Sequence, residues 1–170
     1  MRLEINNTTK NKINTKILHK GITAFNKKMK AGDKAVSVAF VSEAKIKELN
    51  KHYRGVNKVT DILSFTPTPL ISKHYIAEKK KSVGKGKFKN KKYESMVCGC
   101  TGDKDNFGEL IICYPQIKRQ AKEERHSVDY ELLFIFIHGL LHLADYDDET
   151  DKGREEMIAL GEKLCKFNNY

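Results

Sequence analysis

Two histidines four residues apart, His138 and His142, lie in the most apolar stretch of the chain, Leu132 to Ala144. On an α-helix this spacing puts both imidazoles on one face, one turn apart. They can then converge on one cation at about 2.0–2.1 Å each. A third ligand must come from beyond the helix. Asp148 stands six residues after His142, and a helix ending near Asp145 would turn the chain back toward the rings. Three protein ligands with an open fourth position describe a catalytic zinc site rather than a structural one. Such a site activates water near neutral pH. The plainer alternative is a pair of core histidines on an apolar helix. The acids that follow favour a metal, although Asp147, Glu149 and Asp151 also suit the start of a further helix. Position 139 narrows the chemistry: zinc peptidases of the H-E-x-x-H type carry their general base there, and this chain has Gly139.

A second group is Asn50-Lys51-His52-Tyr53-Arg54-Gly55, followed by Thr60-Asp61-Ile62-Leu63-Ser64-Phe65. Arg54 ends a helical pattern just before a glycine. A guanidinium there suits bidentate contact with a phosphate, though an ordinary surface arginine fits the same position. Thr60 and Asp61, at a strand entrance, can hold the loop between.

The elements that must position these groups follow from periodicity. Arg2 to Ile5 reads as a short edge strand. Apolar residues at three- and four-residue spacing predict an amphipathic helix over Lys10 to Lys30, ended by Gly32-Asp33. Ala35 to Val41 alternates and is β-branched, a strand. Ser42 caps a helix from Glu43 to His52. Asp61 to Phe65 is a strand, as is Gly108 to Cys113. Gln116 to His126 is a charged helix. Asp129 to Ala144 is apolar all round and therefore central. Asp151 to Phe167 is an amphipathic helix. The fold expected is α/β (α+β), a small mixed sheet of about four strands packed by about five helices, with the metal site on a central helix. Residues 67–106 are lysine-rich and aperiodic, and read as a disordered basic insertion within one domain spanning 1–170.

The chain has 170 residues and a net charge of +10, unevenly placed. Residues 1–30 hold eight bases and one acid, whereas residues 107–170 carry a net −5. A basic N-terminal part and an acidic C-terminal third suit a polyanionic partner and a separate cation site, or solubility alone. No apolar run approaches the roughly 20 residues of a membrane span. The polar N-terminus has no secretory pattern, which points to the cytosol. Cys98 and Cys100 form a C-x-C pair without a second pair at zinc-finger spacing, and read as unpaired thiols.

Together the two motifs resemble the YbeY family, metal-dependent endoribonucleases of ribosomal RNA maturation and ribosome quality control. The family's hallmark is similar to H-G-x-L-H-L-x-G-Y-D-H, and residues 138–148 depart from it at Asp145 and Asp148 alone. Its N-x-x-Y-R and T-D-V-L-S-F-P patterns look like Asn50–Arg54 and Thr60–Phe65, and Gly108-Glu109-Leu110 looks like its G-D-I strand start. The resemblance implies that His138 and His142 are metal ligands and that Asp148 stands where a third histidine is usual. That exchange lowers zinc affinity or favours a harder cation. It implies that Asp145 takes a helix-exit position where glycine tolerates positive φ, a region open to Asp. It implies that Arg54 takes part in RNA cleavage.

The expected function is then a single-strand-specific endoribonuclease acting on ribosomal RNA, at the 16S 3′ end, with one divalent ion, zinc, and the small ribosomal subunit as partner. The nucleophile is water or the 2′-OH. Lys79, Lys80 and Lys81 in the insertion are candidate contacts to RNA backbone. Two other readings stand: a ribosome-assembly factor with a structural metal and no turnover, and a zinc peptidase that has lost its base.

Overall fold

The computed structural model describes residues 1–66 and 105–166. Nine elements follow in order: β1 (Arg2–Asn7), α1 (Thr15–Met29), β2 (Ala35–Phe40), α2 (Glu43–Arg54), β3 (Ile62–Phe65), β4 (Asn106–Ile112), α3 (Tyr114–Glu123), α4 (Val128–Leu143) and α5 (Asp151–Lys166). The four strands form one sheet in the order β1-β2-β4-β3. β1, β2 and β4 run parallel, and β3 is antiparallel to β4. Among the described residues this is the mixed four-stranded, five-helix α/β fold that the periodicity predicts. No helix among them is long and apolar enough to cross a membrane.

Strand side chains alternate between two faces, and both faces are covered. Val36, Val38, Phe40, Leu110 and Ile112 face α1, α3, α4 and α5 in the larger core. Ala39, Val41, Leu63 and Ile111 face the other way, against Ile46 and Leu49 of α2. Helix α4 lies at the centre of the larger core, with ten of its sixteen residues buried, which is why its apolar residues encircle it. Ser127 caps it by accepting a hydrogen bond from Tyr130 N at 3.1 Å.

The boundaries moved where local polar groups compete with periodicity. Helix α1 starts at Thr15 rather than Lys10. Asn7 Oδ1 accepts from Thr9 N at 3.0 Å and Thr9 Oγ1 accepts from Asn11 N at 3.2 Å, so local side-chain bonds hold residues 7–11 in turns before the helix begins. Helix α3 starts at Tyr114, two residues early, because Pro115 falls in its first turn, where a missing N–H costs nothing. Strand β4 begins at Asn106, paired with Ala35. The remainder of the expected insertion, with Lys79, Lys80, Lys81, Cys98 and Cys100, lies outside the described residues.

Candidate metal centre

His138 and His142 emerge from the last two turns of α4 on the same face. Their Nε2 atoms stand 3.0 Å apart and their rings are nearly perpendicular, at 88°. Asp148 Oδ2 lies 3.7 Å from His138 Nε2 and 3.8 Å from His142 Nε2. Two ligands each about 2.0–2.1 Å from a tetrahedral ion stand about 3.3 Å apart. The three distances bracket that value, and the donor set of two imidazoles and one carboxylate fits zinc or a harder divalent ion. All three side chains are partly exposed, so the centre opens to solvent.

The turn that returns Asp148 is built from the helix exit. Asp145 has φ +64°. Its N–H donates to the His142 carbonyl at 3.1 Å, and Tyr146 N donates to the Leu141 carbonyl at 3.0 Å. This is the paired 5→2 and 6→1 pattern of a left-handed helix stop, which usually takes glycine. The expectation of a positive φ at Asp145 holds. Asp145→Gly should therefore raise stability by about 1 kcal/mol, read as a higher Tm in chelator. Beyond the turn, Gly153 sits so close to the Asp147 carbonyl that a Cβ would collide with it. Arg154 Nη2 reaches the Asp148 carbonyl at 3.5 Å. The acidic loop is thus clasped to the first turn of α5.

The turn also sets a tautomer. The Tyr146 carbonyl can only accept, so His142 Nδ1 donates to it, at 3.1 Å. His142 Nε2 is then left with its lone pair toward Asp148 and His138, the orientation a metal-ligating histidine needs. Burial holds the His138 pKa below the ordinary 6.5, the nearby His142 lowers it further, and Asp148 and Asp61 pull the other way. The neutral ring that results is the ligating form. A lowered folded-state pKa means that the unfolded chain binds the extra proton first. Stability in chelator should fall as pH drops below 6.5 toward the folded value. His138→Ala should flatten that part of a urea-denaturation pH profile.

Asp61 does what the sequence suggested and more. Its Oδ1 accepts from Thr60 Oγ1 at 3.0 Å and from Ile62 N at 2.7 Å, and its Oδ2 accepts from Gln120 Nε2 at 3.0 Å. It ties the start of β3 to α3, and its charge acts on His138. Asn50, buried, donates from Nδ2 to the Lys58 carbonyl at 2.8 Å and fixes the loop between. Arg54 ends α2 on the opposite face of the sheet, exposed, and Gly55 caps it with φ +74°. Tyr53 packs edge-on against Phe65, with ring centroids 5.0 Å apart. The Phe65 carbonyl lies 2.8 Å from where a Cβ on Gly108 would fall, and Leu143 Cδ2 lies 2.6 Å from it. Arg54 thus stands at the end of the sheet where α4 stops, with no hydrogen bond or ion pair to the triad. Gly108 has φ +150° and lets β3, β4 and α4 meet there. Tyr146, Gly153 and Asp61's reach to His138 were missed because each acts through a main-chain atom or through space, and no residue spacing encodes that.

The model of the family described as Endoribonuclease YbeY matches residues 2–169. The chain belongs to the YbeY family. The Endoribonuclease YbeY of Moorella thermoacetica is 38% identical over 134 residues, spanning 79% of this chain and 72% of that one. The Endoribonuclease YbeY of a Bradyrhizobium strain is 31% identical over 149 residues, spanning 85% and 72%. The solution structure of TM1509 from Thermotoga maritima superposes with a TM-score of 0.54 at 28% identity, over 96% of this chain and 87% of that one. Membership in the YbeY family agrees with the hallmark at residues 138–148.

Proposed function

We propose that this chain is an endoribonuclease that cleaves single-stranded RNA using one divalent ion, zinc, held by His138, His142 and Asp148. Its substrate is ribosomal RNA, at the 16S 3′ end, met on the small ribosomal subunit in the cytoplasm. The observation that carries the reading is the convergence of two Nε2 atoms and one carboxylate oxygen within 4.8 Å of one another, in a chain of the YbeY family. A divalent ion, when bound, supplies Lewis acidity toward water and phosphoryl oxygen.

The chain's own residues supply the rest. His142, held by the Tyr146 carbonyl, presents a fixed lone pair. His138 stays neutral in its half-buried place. Arg54 neutralises charge that builds on the phosphate in the transition state, from the end of the sheet that α4 shares. We keep residues 67–105 as an insertion in one domain, with Lys79, Lys80 and Lys81 on RNA backbone. Gly139 speaks against the peptidase reading, because a side chain at that position enters the packing between α4 and the sheet. The test is cleavage of matched single- and double-stranded ribosomal RNA fragments by purified protein, chelated and then resupplied with zinc or manganese. Metal-restored cutting of the single strand supports the reading. Binding without cutting under every metal favours the assembly factor.

A further inference from the structure

Helix α1 differs from the other surface helix of its length. On α5, Lys152 lies 3.8 Å from Glu156, Arg154 lies 3.3 Å from Asp151 and Lys166 lies 3.8 Å from Glu162. These charges are offset one turn away. Between Ile5 and Gly32 there is no acidic residue at all. At 100° per residue, Lys16, Lys20 and Lys27 fall within about 20° of one line along the helix, on a stripe about 16 Å long, and Lys30 follows at the helix stop. All four are exposed. Lys16, Lys27 and Lys30 take part in no ion pair among the described residues.

The N-terminal lysines work against the helix. Lys16 occupies a first turn that has no acid and no side-chain cap, where the helix dipole disfavours a cation. Lys16 and Lys20 form a like-charge pair at i,i+4, which is destabilising. Lys30 takes the left-handed stop at φ +53°, although a glycine follows two residues later. Lys27 lies in the last turn, where the dipole favours a cation; a stripe of one sign complements a row of charges of the other sign.

Helix α1 packs through its buried face on the helix that carries the metal centre, and the lysines lie on its outer face. Gly21 brings α1 so close to α4 that a Cβ there would fall 2.7 Å from Leu133 Cδ1. Phe25, near the lysine-rich end of α1, packs on Phe107 with centroids 6.0 Å apart. Phe107 precedes Gly108, which lies under Leu143 at the exit of α4. Lys34 Nζ lies 5.9 Å from the centre of the Phe107 ring. The C-terminal end of α1 and the His138–His142 turns therefore lie at one end of the sheet.

We infer that the lysine stripe of α1 is a second RNA-binding surface, which holds the sugar-phosphate backbone of the substrate strand beyond the nucleotides at the metal centre. It rests on the nuclease reading above. Contacts of this kind are independent of sequence and release counterions, so each phosphate neutralised adds about 0.7 to the salt slope of single-strand binding.

The experiment measures binding of a labelled single-stranded 2′-O-methyl RNA by fluorescence anisotropy across a salt series. It compares the wild type, a triple variant Lys16→Gln, Lys27→Gln, Lys30→Asn, and a control triple Lys152→Gln, Lys163→Gln, Lys166→Gln. Both triples change net charge equally, and circular dichroism reports whether each folds. The α1 triple should lower the slope of log K against log salt by about 2, with the control near wild type. If the two triples alter the slope alike, or neither does, the stripe is not an RNA surface and the proposal falls while the nuclease reading stands. If wild type shows no salt-dependent RNA binding, the nuclease reading itself fails. Should the α1 triple misfold, single substitutions are read instead, each expected to lower the slope by about 0.7; an unchanged slope in all three overturns the proposal.

Discussion

His138→Ala should lower the rate of RNA cleavage by at least about 100-fold while the protein stays folded. Changes to the residues that merely orient a metal ligand typically cost 10–100-fold in affinity or activity. Loss of a ligand itself should exceed the top of that range. The ring is not a major support of the core: its side chain is 23% exposed, and its polar neighbours are His142 and Asp148. A truncation there leaves no enclosed cavity, so the thermal midpoint in chelator should change little. Single-turnover cleavage assays and melting curves on the same preparation check both halves. His142→Ala should match it in activity and cost more in stability, because it also breaks the bond from Nδ1 to the Tyr146 carbonyl.

Gly139→Glu should unfold the protein or nearly so, without creating a peptidase. A Cβ at 139 would fall 2.5 Å from Ile62 Cδ1 and 2.9 Å from Leu110 Cδ2, both buried. Overpacking of this kind costs about 1–3 kcal/mol. For Gly139→Ala the better helix propensity returns about 1 kcal/mol, which leaves a modest net loss. Glutamate adds the burial of a carboxylate with no partner, which costs several kcal/mol more unless it takes up a proton. The sum approaches the whole stability of a typical domain. Urea denaturation of the two variants should place alanine between wild type and glutamate. A glutamate variant as stable as wild type would mean that α4 does not pack on β3 and β4 as described.

Much of this was legible in the residues. The pattern at Ala35 to Val41 and the apolar run to Ala144 marked β2 and the central helix, because alternation with β-branched residues suits a strand and apolar residues all round suit a buried helix. The pair His138 and His142 was legible because helical spacing converts directly into a shared face. Asp148 was reachable by the same logic only through its neighbour: Asp145 had to accept positive φ for the chain to return. What stayed hidden was of another kind. The start of α1 depends on Asn7 and Thr9 side chains competing for main-chain donors. The reason for Gly139 is the approach of Ile62, which is 77 positions away in sequence and adjacent only in the fold. Arg54 could be named from its motif, but its place across the sheet from the triad depends on Tyr53 meeting Phe65.

Metal stoichiometry is the most direct test of the central claim. Protein purified without chelator, dialysed and assayed by inductively coupled plasma mass spectrometry, should hold one divalent ion per chain. His138→Ala should hold none, and Asp148→Ala should hold it much more weakly. Full retention of the ion in both variants would mean that the metal binds elsewhere than at His138, His142 and Asp148.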